Sequence, residues 1–169
     1  SEEDQKRRRS CSSLNMVKIA VDAMGGDFAP RPIVEGAVCY AREFSTPIIL
    51  VGRESLVRAE LDRLDAKHLP IEVVHASEVI EMDESPSKAS RVKQDASIVV
   101  ATKLVAEGRA DAVVSAGNSG AVMTSALRYL GRLEGIWRPT LAARIPTTSG
   151  GECMVADVGA NADCKPEYL

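Results

Sequence analysis

The chain has 169 residues, of which 45% are hydrophobic, 27% charged and only 4% aromatic, with a formal net charge of −3. That length suits one domain with a real core, and the charge excludes a global basic field for nucleic acid. No apolar run approaches the roughly 20 residues that span a bilayer, and no apolar signal-peptide segment follows the basic run at 6–9.

The polar stretch 1–15 joins that basic run to Ser10, Ser12 and Ser13. It reads as a disordered extension or an expression remnant rather than a nucleic-acid tail. The folded part is expected to begin at Met16. Val17-Lys-Ile-Ala-Val21 reads as a strand. Pro30 and Pro32 stand where a first helical turn tolerates proline, and Ile33, Val34, Ala37, Val38 and Ala41 follow at helical spacing. Pro47-Ile-Ile-Leu-Val51 is apolar throughout, as expected of a strand covered on both faces. Leu56, Val57, Leu61 and Leu64 mark a second amphipathic helix, and Ile71-Glu-Val-Val74 a third strand.

The polar stretch 81–90 carries little core material. Ile98, Val99, Thr102, Val105 and Ala106 restore helical period, with Gly108 as a C-cap. Ala112-Val-Val-Ser115 makes a fourth strand, and Val122, Met123, Ala126, Leu127 and Leu130 a fourth helix. Two more strands are expected at 141–145 and 153–156, parted by the turn Thr147-Thr-Ser-Gly-Gly151. The alternation predicts an α/β fold: a mainly parallel sheet with helices on both faces and right-handed crossovers. Residues 163–169 look like the opening of another helix, which predicts a truncated chain.

Cys11, Cys39, Cys153 and Cys164 are widely spaced, without a Cys-x-x-Cys pair, and suggest neither zinc nor a disulfide framework. Reduced thiols in a cytosolic protein follow as the default, with Cys39 and Cys153 as core filler. His68 and His75 read as surface or strand-end residues.

Three glycine-rich or small-residue turns each follow a short apolar run: Asp22-Ala-Met-Gly-Gly-Asp27, Ser115-Ala-Gly-Asn-Ser-Gly-Ala121 and Asp157-Val-Gly-Ala-Asn161. Ligands of open α/β sheets bind at such junctions. Glycine lets the backbone approach closely, and free N–H groups at a helix start favour an anion. Gly25 and Gly26 permit close approach, while Asp22 and Asp27 could orient a ligand or Asp27 could simply cap a helix. Adjacent glycines are not the Gly-x-Gly-x-x-Gly dinucleotide fingerprint. In the second turn, Gly117 and Gly120 flank Asn118 and Ser119, whose side chains could hold phosphate, stabilise an oxyanion or cap the fourth helix. Asp157, Asn161, Asp163 and Lys165 form a polar network or part of a catalytic site. Arg91 and Lys93 offer cations for a phosphate or a solvated face.

The segments Ile19-Ala-Val-Asp-Ala-Met-Gly-Gly-Asp27, Ser85-Pro-Ser-Lys-Ala-Ser-Arg-Val-Lys93, Ala110-Asp-Ala-Val-Val-Ser-Ala-Gly-Asn-Ser-Gly-Ala121 and Asp157-Val-Gly-Ala-Asn-Ala-Asp-Cys-Lys-Pro166 resemble, in order, the phosphate acyltransferases of bacterial phospholipid synthesis. The resemblance covers 16–169 and corresponds to the N-terminal portion of those longer chains. It implies a three-layer α/β/α fold like that of phosphotransacetylases and the isocitrate dehydrogenase class. It also implies transfer of a fatty acyl group from acyl carrier protein to inorganic phosphate, with no metal or nucleotide cofactor. A cytoplasmic homodimer, peripheral at the membrane and feeding a membrane glycerol 3-phosphate acyltransferase, belongs to the same expectation. An acyl-CoA-using phosphotransacetylase-like enzyme and an inactive phosphate-binding fragment are the alternatives. On this resemblance Ser115, Gly117, Asn118, Ser119 and Gly120 cradle the phosphate or oxyanion. Gly25, Gly26, Asp27, Asp157, Asn161 and Lys165 complete the pocket, and Arg91 and Lys93 supply charge. Ser119 stands where threonine is usual, and Gln94 where a second lysine is common. No Ser-His or Cys-His nucleophile pattern is visible, which favours direct transfer to phosphate.

Overall fold

Every residue of Ile48–Gly52 is buried, as the unbroken apolar run predicts for a strand with both faces covered. The computed structural model describes residues 16–137 and 139–156, in two compact units that divide between Tyr129 and Leu130. In the first unit the elements are β1 (Ile19–Asp22), α1 (Arg31–Phe44), β2 (Ile48–Gly52), α2 (Glu54–Arg63), β3 (Ile71–His75), α3 (Pro86–Val92), α4 (Ser97–Ala106), β4 (Ala112–Val114) and α5 (Ser119–Tyr129). The sheet runs β3-β2-β1-β4, and every neighbouring pair is parallel.

Alternation along β2 sets the layers. Ile48 and Leu50 pack with Val34 and Val38 of α1 and with Val57 and Leu61 of α2. Ile49 and Val51 face the other way, onto Ala20 of β1 and Ala101 and Leu104 of α4. Helices therefore cover both faces, giving the expected three-layer α/β/α arrangement. Each of these Ile, Leu and Val side chains stabilises the fold by about 1.5–3 kcal/mol relative to leaving it exposed. A third cluster, with Ile80, Ala89, Ala96, Ile98, Val99 and Ala121, joins α3, α4 and α5.

Four expectations need correction. The stretch 81–90, expected to carry little core material, holds the start of α3, with Pro86 in its first turn and Ala89 and Ser90 buried. On α5 the buried residues are Ala121 and Ser125, while Leu127 and Leu130 are 41% and 46% exposed. Helix α5 approaches α3 through small side chains, and a Cβ on Gly120 would lie 2.6 Å from Cγ of Pro86. Both Cys39 and Cys153 are exposed. Cys39 follows directly after the buried Ala37–Val38 pair of α1 but faces solvent.

In the second unit, β5 (Ala142–Pro146) and β6 (Glu152–Ala156) are the two strands expected there, paired antiparallel as a hairpin with every residue exposed. Full exposure on this hairpin is why Cys153 is not core filler. Thr147 N–H bonds to the Gly151 carbonyl at 2.9 Å to close the turn. No helix among the described residues is long and apolar enough to cross a membrane.

Candidate anion-binding site

Strand β1 lies between β2 and β4. The chain builds outward from β1 through β2 to β3, then crosses back to add β4 on the opposite side. Strand order thus reverses between β1 and β4, and the crevice at their carboxyl ends is the binding position of doubly wound sheets. The glycine-rich turns 22–27 and 115–121 are the segments that follow these two strands.

Their contact is intimate. Asp22 is 3% exposed, and its Oδ2 accepts the Ser115 hydroxyl at 2.7 Å. Oδ1 accepts the Met24 N–H at 3.2 Å, while the Gly117 N–H donates to Ser115 Oγ at 3.1 Å. A Cβ on Gly25 would stand 2.6 Å from Asp22 Oδ2, 2.8 Å from Ser115 Oγ and 2.9 Å from the Gly117 nitrogen. One on Gly117 would stand 3.0 Å from Gly25 Cα. The two glycines thus face each other because no side chain fits between the turns. Gly26, at φ +105°, occupies backbone space that L-residues rarely adopt.

Beyond this contact, α5 begins. Asn118 Oδ1 accepts the Ala121 N–H at 3.1 Å, the geometry of an N-cap. Among the described residues the N–H groups of Ser119 and Gly120 have no acceptor. These open donors, at the positive end of the helix dipole, suit an anion.

The other end of the Asn118 amide is committed elsewhere. Nδ2 donates to the carbonyls of Glu81 at 3.1 Å and of Met82 and Glu84 at 3.4 Å. Lys93 holds the same loop, with Nζ 2.6 Å from Glu84 Oε2 and 2.7 Å from the Val79 carbonyl. The Lys93 ammonium, helped by the Glu81 N–H, holds the Glu84 carboxyl below its usual range. Asn118 and Lys93 therefore serve here as tethers of the loop 79–84. Both polar groups, which the sequence motif offers to a phosphate or oxyanion, have protein partners here.

Asp27 is exposed and caps no helix, since the cap position of α1 is Pro30. Arg91 lines a cleft of about 610 Å³ together with Ser87, Ser90, Thr124, Leu127 and Arg128, and no residue of the glycine turns is among this described lining. Gln94 has a structural use. Its Nε2 donates to the carbonyls of Ser90 and Arg91, and its Oε1 accepts the Tyr129 hydroxyl at 2.7 Å. Asp157, Asn161 and Lys165, with the third turn, lie outside the described residues. Among the described residues no group of three His, Cys, Asp or Glu side chains could hold a metal. Of the two acidic candidates at the first turn, Asp22 is singled out by its place directly at the end of a buried strand, a signal present in the sequence.

Fold and site together define a doubly wound α/β protein with a glycine-lined crevice at the reversal of strand order. The chain belongs to the family described as fatty acid synthesis protein, whose model matches residues 17–169. It is 54% identical over 155 residues to a phosphate acyltransferase of Endomicrobium trichonymphae, an alignment covering 89% of this chain and 46% of that protein. Similar matches join it to phosphate acyltransferases of Dictyoglomus turgidum, 50% identical over 153 residues with 90% and 46% covered, and of Geobacter sp. strain M21, 56% identical over 153 residues with 90% and 43% covered. The chain spans less than half the length of these curated relatives.

Proposed function

We propose that this chain is the phosphate-holding part of an acyltransferase that moves a fatty acyl group from an acyl carrier protein thioester to inorganic phosphate, forming acyl phosphate. The observation that carries the reading is the meeting of the Gly25 and Gly117 turns at the β1/β4 crevice, beside the open N–H groups of Ser119 and Gly120. The relatives' name, phosphate acyltransferase, supports it. Phosphate seated on those N–H groups attacks the thioester carbonyl through one oxygen. The carbonyl becomes a tetrahedral oxyanion, the C–S bond breaks, and the carrier leaves as thiolate. Ser115 and Asp22 keep the two turns in register, and Asn118 and Lys93 hold the loop 79–84 against them. Asp157, Asn161 and Lys165 join the pocket on the strength of the sequence motif alone. The same reading makes the whole protein a cytoplasmic homodimer that supplies a membrane glycerol 3-phosphate acyltransferase.

The test is phosphate-dependent loss of a long-chain acyl carrier protein thioester, with hydroxylamine trapping the acyl phosphate, run on this chain beside a full-length relative. Acyl-CoA in parallel separates the phosphotransacetylase-like alternative. Because the chain covers only 46% of its relative, a second reading is a phosphate-binding piece without turnover. Activity in the relative alone, with phosphate binding in both, supports that second reading; activity in neither removes the first.

A further inference from the structure

We infer that the α3/α5 cleft, none of whose described lining residues belongs to the glycine turns, is a second anion site that takes a phosphate monoester bearing a small apolar body. Among the described residues its lining includes two arginines and no carboxylate. Among the described residues, neither Arg91 nor Arg128 forms an ion pair, whereas the neighbouring Lys93 is paired with Glu84. Two guanidinium groups lining one cleft can meet a dianion with paired N–H donors.

Both arginines stand on braced supports. Gln94 Nε2 binds the backbone carbonyls of Ser90 and Arg91 at 3.0 and 2.8 Å, fixing the end of α3. The Gln94 oxygen holds the Tyr129 hydroxyl, and the guanidinium of Arg128 lies over the Tyr129 ring at 5.4 Å. Arg128 Nη1 also reaches the Ser90 carbonyl, at a long 3.5 Å, which leaves its other donors for a ligand. One glutamine thereby ties the two helices that carry the charges, which lowers the ordering cost of binding. The Ser87 hydroxyl adds a further donor at the cleft. The Thr124 hydroxyl proton is already given to the carbonyls of Gly120 and Ala121. Leu127, 41% exposed, supplies an apolar wall that inorganic phosphate alone would leave uncovered. This inference does not rest on the acyl-transfer reading.

Backbone amide resonances of the full chain, followed by NMR, test it with three probes: hexyl phosphate, inorganic phosphate and hexanoate. Hexyl phosphate is expected to move the amides of Ser90, Arg91, Leu127 and Arg128, more strongly than either other probe. Arg91→Gln and Arg128→Gln should each weaken that response on the order of tenfold, the loss of a hydrogen-bonded charge, and Arg128→Gln should leave the response of Ser119 and Gly120 to inorganic phosphate unchanged. Arg91→Lys, which keeps charge but loses the planar pair of donors, should fall between. It carries the test with Arg128→Gln if the spectrum of Arg91→Gln shows lost structure. Hexyl phosphate shifts confined to 117–120, unchanged affinity in the variants, or an equal response to hexanoate would overturn the inference. Loss of the phosphate response at Ser119 and Gly120, with the cleft still responding, would instead count against the acyl-transfer reading.

Discussion

Ser115 donates its hydroxyl proton to the buried carboxylate of Asp22 at 2.7 Å, and this one bond joins the turn after β1 to the turn after β4. Removing it leaves Asp22 Oδ2 without a donor among the described residues, and the Gly117 N–H without its acceptor. Hydrogen bonds to buried charged groups contribute about 1.5–3 kcal/mol. Ser115→Ala is therefore expected to lower stability by that amount and to weaken phosphate binding. Denaturant midpoints and a phosphate titration on the same variant check this. Stability equal to the parent would mean that the pair holds nothing together.

A pair of glycine substitutions separates contact from conformation. At Gly25 a methyl group meets a carboxylate oxygen, a hydroxyl and a backbone nitrogen, all within 3 Å, and none of these can give way without parting the turns. Gly25→Ala should destabilise the protein and abolish phosphate binding. Gly36 lies inside α1, and a methyl group added there would meet nothing within 4 Å. Gly36→Ala should stabilise by about 0.5–1 kcal/mol through the unfolded chain and leave binding alone. Thermal unfolding of both reads the contrast, and opposite signs are required.

The parts of this fold legible in the sequence are those encoded locally. The run 47–51 announces a doubly covered strand because every residue in it is apolar, and β2 is buried throughout. Gly25 and Gly117 are legible as places of close approach. That they approach each other depends on β4 adding beside β1 instead of β3, a pairing between strands far apart in sequence that no local run encodes. Helix α3 escapes a local reading because Ser85, Pro86, Ser87 and Lys88 look like polar loop, while its burial comes from Ala89 and Ser90 against neighbouring helices. For the same reason the sequence does not show that α3 places Arg91 in a cleft shared with Arg128.

Asn118 does two jobs that substitution can divide. Aspartate keeps an oxygen for the Ala121 N–H but loses the donors that reach the Glu81, Met82 and Glu84 carbonyls. Alanine loses both, and loss of the cap alone costs about 1 kcal/mol. Asn118→Asp should stay closer to the parent in overall stability than Asn118→Ala. Both should speed hydrogen exchange across 81–84, since each frees the loop. Unchanged exchange in the aspartate variant would show that Lys93 suffices as the tether.

Acidification should release that loop late. Glu84 accepts from Lys93 at 2.6 Å and from the Glu81 N–H at 2.8 Å. The Lys93 hydrogen bond, foremost, holds the carboxyl below the ordinary value of 4.5 in the folded protein. A carboxylate depressed by folding stabilises fully above its unfolded value, and that stabilisation is lost as pH falls through the lower folded one. Loop ordering is thus expected to be constant down to about pH 4.5 and to weaken only below it. The side-chain carboxyl resonance of Glu84, titrated beside hydrogen exchange at the Glu81 amide, reads both ends of the bond. Lys93→Met should move the Glu84 midpoint upward toward 4.5, its ordinary value, and make the loop exchange faster at neutral pH. A parent midpoint at or above 4.5 would remove Lys93 as the residue that fixes this loop.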